Sequence, residues 1–179
     1  MNSRRLILAI AQTLVATSAV AGQPETTPVT NIEHSAVFDK MKALVGEYQE
    51  VADADESARV SYQLISNGSA LTETWNMASG KKELTVFHMD QDELVATHYC
   101  AANIQSTMAL SSLSEDGVYN FRLRSISNLP SAESPHNSGF GYRFSDDKEI
   151  FRNEIWSRAG EESVSDLMLA RLPEDPKLN

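Results

Sequence analysis

From Gly46 onward the sequence alternates. Short runs in which apolar and polar side chains trade places are punctuated by turn residues roughly every 8–12 positions. Period two marks a strand with one buried and one solvated face, and strands so regularly spaced belong to a sandwich or a barrel. The alternation predicts strands near 46–52, 58–66, 69–77, 82–89, 93–100, 105–113, 118–126, 138–145, 149–157 and 163–171. Between them stand Asn67-Gly68, Ser79-Gly80, Asp90-Gln91-Asp92, Ser114–Gly117, Asp146-Asp147 and Gly160, while Leu129–Ser138, with Pro130 and Pro135, is the one long connection. A meander of this length curls and closes, because closure removes both exposed edges. The expected fold is all-β, an up-and-down antiparallel barrel of about ten strands, with an open two-sheet sandwich as the competing architecture. Eight strands leave just enough room for side chains or one small ligand, so ten are expected to enclose a cavity.

Upstream of the strands the pattern differs. Asn31 is placed to cap a short helix over residues 32–45, on which Ile32, Phe38, Met41, Leu44 and Val45 form an apolar stripe that Gly46 ends. Residues 22–31, with two prolines and no periodicity, read as a flexible linker. Residues 1–21 read as a secretory signal: Arg4 and Arg5, an apolar run from Leu6, and Ala19-Val20-Ala21 before Gly22. No Cys follows that site, which excludes a lipoprotein anchor. The expected organisation is a signal peptide at 1–21, a linker at 22–31, one barrel domain at 32–173 and a tail at 174–179. The expected location is the periplasm or the extracellular space, with no membrane span after signal removal.

Composition narrows the partners. The 179 residues suit one domain and carry 15 Lys+Arg against 25 Asp+Glu. That acidic excess repels nucleic acid and anionic membrane surfaces. The single cysteine, Cys100, excludes an internal disulfide framework and zinc-finger spacing. Phosphate loops, nucleophile elbows and dinucleotide fingerprints do not occur in the sequence. Asn67-Gly68 favours a two-residue type I′ hairpin, which pairs Leu64 with Leu71, Tyr62 with Glu73 and Val60 with Trp75 on the more apolar, inward face. Glu73 then needs a donor, and Tyr62 is directly opposite. In Leu94–Cys100 the alternation sets His98 on one face with Leu94, Ala96 and Cys100. His88 shares that side only if the loop between the two strands has three residues and a bulge; two or four residues put it on the other side. Phe140, Tyr142 and Phe144 form an aromatic stripe that serves as wall or pocket lining.

Four stretches together resemble a known kind of protein: Phe38–Tyr48, Gly68–Thr74, Val86–Asp90, and Leu94 through Thr97-His98-Tyr99-Cys100. They are similar to a family of exported bacterial proteins with a lipocalin-like (calycin) β-barrel and no established activity. In the wider calycin group an Arg from the last strand packs over a Trp of the first. The resemblance implies that Arg171 covers Tyr48 here, with Tyr in place of Trp. A related ten-stranded group binds haem through a His near its C-terminal end, whereas the last His of this chain is His136, in a loop.

The expected function is therefore non-enzymatic binding of a small apolar or amphipathic molecule. Tyr62, Glu73, Trp75, His88, His98 and Tyr142 are the candidate lining residues, with no metal and no cofactor expected. One alternative is a hydrolase or isomerase that uses Glu73 and His98 as acid and base. Another is haem binding through His98 or His88, and a last one is a purely structural or partner-binding barrel with a filled interior.

Overall fold

The computed structural model describes residues 32–52, 57–145 and 149–173. The expected signal peptide, linker and tail, and the Asp146-Asp147 turn, lie outside the described residues. Ten antiparallel strands form a closed barrel: β1 (Gly46–Glu50), β2 (Arg59–Ile65), β3 (Ala70–Asn76), β4 (Lys82–Asp90), β5 (Glu93–Tyr99), β6 (Gln105–Leu113), β7 (Tyr119–Ser127), β8 (His136–Phe144), β9 (Glu149–Arg158) and β10 (Glu161–Arg171). Each strand pairs with its neighbours in the chain. The seam closes through Tyr48 opposite Arg171, Gln49 opposite Ala170 and Glu50 opposite Leu169.

One helix, α1 (His34–Lys42), precedes the barrel and covers the end at which the odd-numbered strands begin. The Leu94 N–H at the start of β5 donates to His34 Nδ1 (3.0 Å), and Lys40 Nζ donates to Tyr119 Oη at the start of β7 (2.8 Å). Val37, Phe38 and Met41, one turn apart, are its buried face. The helix is shorter than the expected 32–45. Glu33 holds the cap position without a side-chain bond, and the last turn tightens, with Leu44 N–H donating to Met41 O (3.0 Å). Gly46 then turns the chain into β1 at φ 145, where Arg171 Nη2 lies 2.8 Å from the position a Cβ would take.

The hairpin between β2 and β3 has the expected register and a different turn. Tyr62 faces Glu73, and Val60 faces Trp75. The ladder ends at Ile65 opposite Ala70, leaving the four residues Ser66–Ser69 as the loop, with a 3-10 turn over Ser66–Gly68. Ser69 donates to Ser66 O through both its N–H and its hydroxyl, which favours this wider loop. Leu64, expected to be inside, is 42% exposed, because β2 runs past the first residue of β1, which pairs with Tyr62.

The interior beside the helix is packed rather than hollow. Met41, Leu71, Phe87, Leu94, Met108, Phe121, Phe140 and Leu169 are all fully buried. Phe87 meets Phe121, Phe140 and Tyr142 edge-on at ring separations of 5.9, 5.9 and 6.0 Å. A fully buried side chain of this kind contributes about 1.5–3 kcal/mol. The expected cavity is thereby reduced to clefts at the ends, one beside the helix lined by Leu44, Tyr48 and Arg171 among others, and one at the opposite end.

Candidate functional site

Two polar groupings lie inside this wall. The first is a knot in the middle of the barrel. Glu73 Oε1 accepts hydrogen bonds from Tyr62 Oη (2.7 Å) and Tyr142 Oη (2.5 Å), and Arg152 Nε stands 3.5 Å away. The Arg152 guanidinium lies 4.3 Å from the Phe140 ring centre and 4.8 Å from that of Tyr142. All four polar side chains are buried. Burial alone pushes the Glu73 carboxyl up, but Arg152 and the two tyrosine hydroxyls outweigh it and hold it below the usual carboxylate range. Burial and the Glu73 charge push Tyr62 and Tyr142 well above the usual phenol value, so both remain donors. The pair is held by its own geometry: removing either ion strands the other in an apolar interior.

The second grouping is at the open end, away from α1. A cleft of about 330 Å³ is lined by Glu50, Trp75, Met77, Glu83, Glu154 and Leu167, among others. Among the described residues, three carboxylates and no basic side chain line it. Glu154 Oε2 accepts from the Trp156 indole (3.0 Å), and its Oε1 is 3.6 Å from Arg152 Nη2. Beside the cleft, Glu83 Oε1 accepts from the Ala101 N–H (3.1 Å) and the Cys100 thiol (3.4 Å). Its other oxygen is 3.5 Å from His98 Nε2, and His98 Nδ1 is hydrogen-bonded to Thr85 Oγ1 at 3.1 Å. Burial lowers the His98 pKa and the two nearby carboxylates, Glu83 and Glu154, only partly restore it. Burial raises the Cys100 thiol.

The structure brings Tyr62, Glu73 and Tyr142 into direct contact and sets Trp75 one turn of the pleat further toward the cleft. His98 faces inward as expected. His88 does not: the turn between β4 and β5 has two residues, Gln91 and Asp92, so Thr85 pairs with His98 and His88 lands on the outer face opposite Val95. Glu73 and His98 are not partners either. Thr85 lies between them in the ladder, which separates their backbones by two strand spacings, roughly 10 Å. Sequence reasoning missed Arg152, Glu83 and Glu154. The β4–β5 register would have revealed Glu83, since a two-residue turn places it opposite Cys100. Arg152 had no such signal, because both faces of Glu149–Arg158 carry charged and apolar residues alike.

Arg171 covers Tyr48 at the seam: its guanidinium lies 5.5 Å from the ring centre, Nη1 donates to Tyr48 Oη (3.1 Å) and Nη2 to Val45 O (2.6 Å). Fold and site together define a closed ten-stranded antiparallel barrel with one N-terminal helix, consistent with a calycin-like architecture in general. No protein-family model matches the sequence, and no curated protein matches it significantly. Among the described residues, no helix is long and apolar enough to cross a membrane.

Proposed function

We propose that this chain is an exported, non-enzymatic binding barrel that takes a small amphipathic molecule with a positively charged head into the cleft at its open end. The carrying observation is the lining of that cleft. Trp75, Met77 and Leu167 offer an apolar wall, while Glu50, Glu83 and Glu154 offer charge of one sign only. An indole face beside carboxylates also suits a cation. Export rests on the basic-then-apolar residues 1–21 and the small-residue site before Gly22. Membership of the exported lipocalin-like family rests on Thr97–Cys100 and on Arg171 over Tyr48.

Acid–base catalysis finds no support in this geometry. Glu73 is held ionised by two tyrosine hydroxyls and the nearby Arg152 charge, and His98 points to Glu83 instead. Haem ligation by His98 finds no support either, since its Nε2 faces the Glu83 carboxylate at 3.5 Å.

The test is a thermal-shift titration with octylammonium and octanoate, which share a chain and differ in charge. Octylammonium raises the melting temperature saturably, octanoate does so at least about tenfold less effectively, and Glu154→Gln narrows the gap. Equal responses, or a preference for octanoate, would overturn the reading.

A further inference from the structure

The cluster of Glu83, His98 and Cys100 has a property that amphiphile binding does not use. Its three donor atoms (His98 Nε2, Cys100 Sγ and a Glu83 carboxylate oxygen) all lie within 4.8 Å of one another. Glu83 and His98 are buried, and Cys100 is half-buried. His98 Nε2 is enclosed and has no hydrogen-bond partner, although Glu83 Oε2 faces it at 3.5 Å. Thr85 holds the other ring nitrogen at 3.1 Å. In the tautomer whose Nδ1–H donates to Thr85, the Nε2 lone pair points at a carboxylate oxygen, and a cation between the two satisfies both.

We propose that Glu83, His98 and Cys100 form a zinc-class metal site at the edge of the cleft, with its fourth coordination position toward solvent. One nitrogen, one sulfur and one oxygen donor are the mixture that Zn²⁺ accepts, and three protein ligands with one open position describe an exchangeable or catalytic type of site rather than a sealed structural one. The spacing suits this ion. Donor atoms at normal zinc bond lengths and tetrahedral angles sit about 3.3–3.7 Å apart. The carboxylate reaches both other donors with one oxygen each, Oε1 3.4 Å from Cys100 Sγ and Oε2 3.5 Å from His98 Nε2, and with a single Glu83 oxygen as ligand the three donor atoms still fall within 4.8 Å of one another. On binding, the Cys100 thiol loses its proton to solvent, and the thiolate, the imidazole lone pair and the carboxylate each supply one bond.

Thr85 is the positioning residue. By fixing Nδ1 it presents Nε2 to the ion, as the outer partners of metal-bound histidines generally do. The register makes the triad: Cys100 falls directly beyond the last β5 pair, opposite Glu83, and His98 is diagonal to it. The inference stands apart from the amphiphile reading, because the metal probe carries no apolar chain.

The experiment titrates the full-length, reduced chain with Co²⁺ and follows absorption, then displaces the cobalt with Zn²⁺. The expected result is one cobalt per chain, with a thiolate-to-cobalt charge-transfer band that zinc abolishes. Cys100→Ser removes the band, and Glu83→Gln and His98→Ala weaken binding at least about tenfold. Cys100→Ser, at a half-buried position, decides the matter even where the two buried substitutions fail to fold. Sub-stoichiometric cobalt, a spectrum without the charge-transfer band, or binding undiminished in Cys100→Ser overturns the proposal.

Discussion

The two ends of this barrel are built from the same strands to opposite rules. At the helix end Leu71, Phe87, Leu94, Phe121, Phe140 and Leu169 fill the interior, and polar groups there are paired: Arg171 with Tyr48 and Val45, His34 with the Leu94 amide. At the open end the same inward positions carry Glu83, His98 and Glu154, and His98 Nε2 has no partner. Between them the Glu73–Arg152 pair, with Glu73 Oε2 and Arg152 Nε also unpartnered, marks the change from one rule to the other. A barrel needs only one packed end to hold its shape. The other is then free to carry charge that folding alone does not favour, which is where recognition belongs.

Four perturbations separate the ends, in falling order of effect. Arg152→Met strands the Glu73 charge and costs about 3–5 kcal/mol in urea unfolding. The double variant with Glu73→Gln recovers about 1–3 kcal/mol of that loss, and simple additivity of the two changes would deny the pairing. Phe87→Ala opens a void among Phe121, Phe140 and Tyr142 and costs about 3–4 kcal/mol by the same assay. It leaves octylammonium affinity unchanged, because the void is at the far end from the cleft. Gly46→Ala forces a Cβ into a positive φ against Arg171 and costs about 1–3 kcal/mol, visible as a lower melting temperature.

Acid gives the fourth, and its sign follows from Glu73. The folded carboxyl titrates below its unfolded value of about 4.3. Its contribution to stability is therefore complete above that unfolded value and is lost as the pH falls from there through the folded one. Unfolding midpoints measured from pH 6 down to pH 2 decline in the wild type, and the decline is shallower in Glu73→Gln. Parallel curves would remove Glu73 as the origin.

The same contrast explains what the sequence disclosed. Alternation and turn residues are local, so strand number, order, closure and the Tyr62–Glu73 pairing were all legible. The helix was legible as an element but not in length, since Leu44 and Val45 look helical and finish in a tighter turn. What escaped depends on hairpin register rather than on alternation. Arg152 lies inside because β9 pairs it with the inward Tyr142 of β8, and the mixed character of both β9 faces gives no sign of it. Glu83 and His98 converge through a turn at Gln91 whose positive φ (55) is adopted without the usual glycine. The filled core was hidden for a further reason: strand count sets the width of a barrel, but only the mutual stacking of Phe87, Phe121, Phe140 and Tyr142 decides whether that width is occupied.

The most direct test of the division between the two ends is a backbone-amide NMR titration with octylammonium. Shifts confined to Trp75, Met77, Glu83, Glu154, Leu167 and their neighbours, with Phe38, Met41 and Leu44 unmoved, are the result this structure predicts. Shifts centred on the helix end, or no residue-specific shifts at saturating octylammonium, would contradict it.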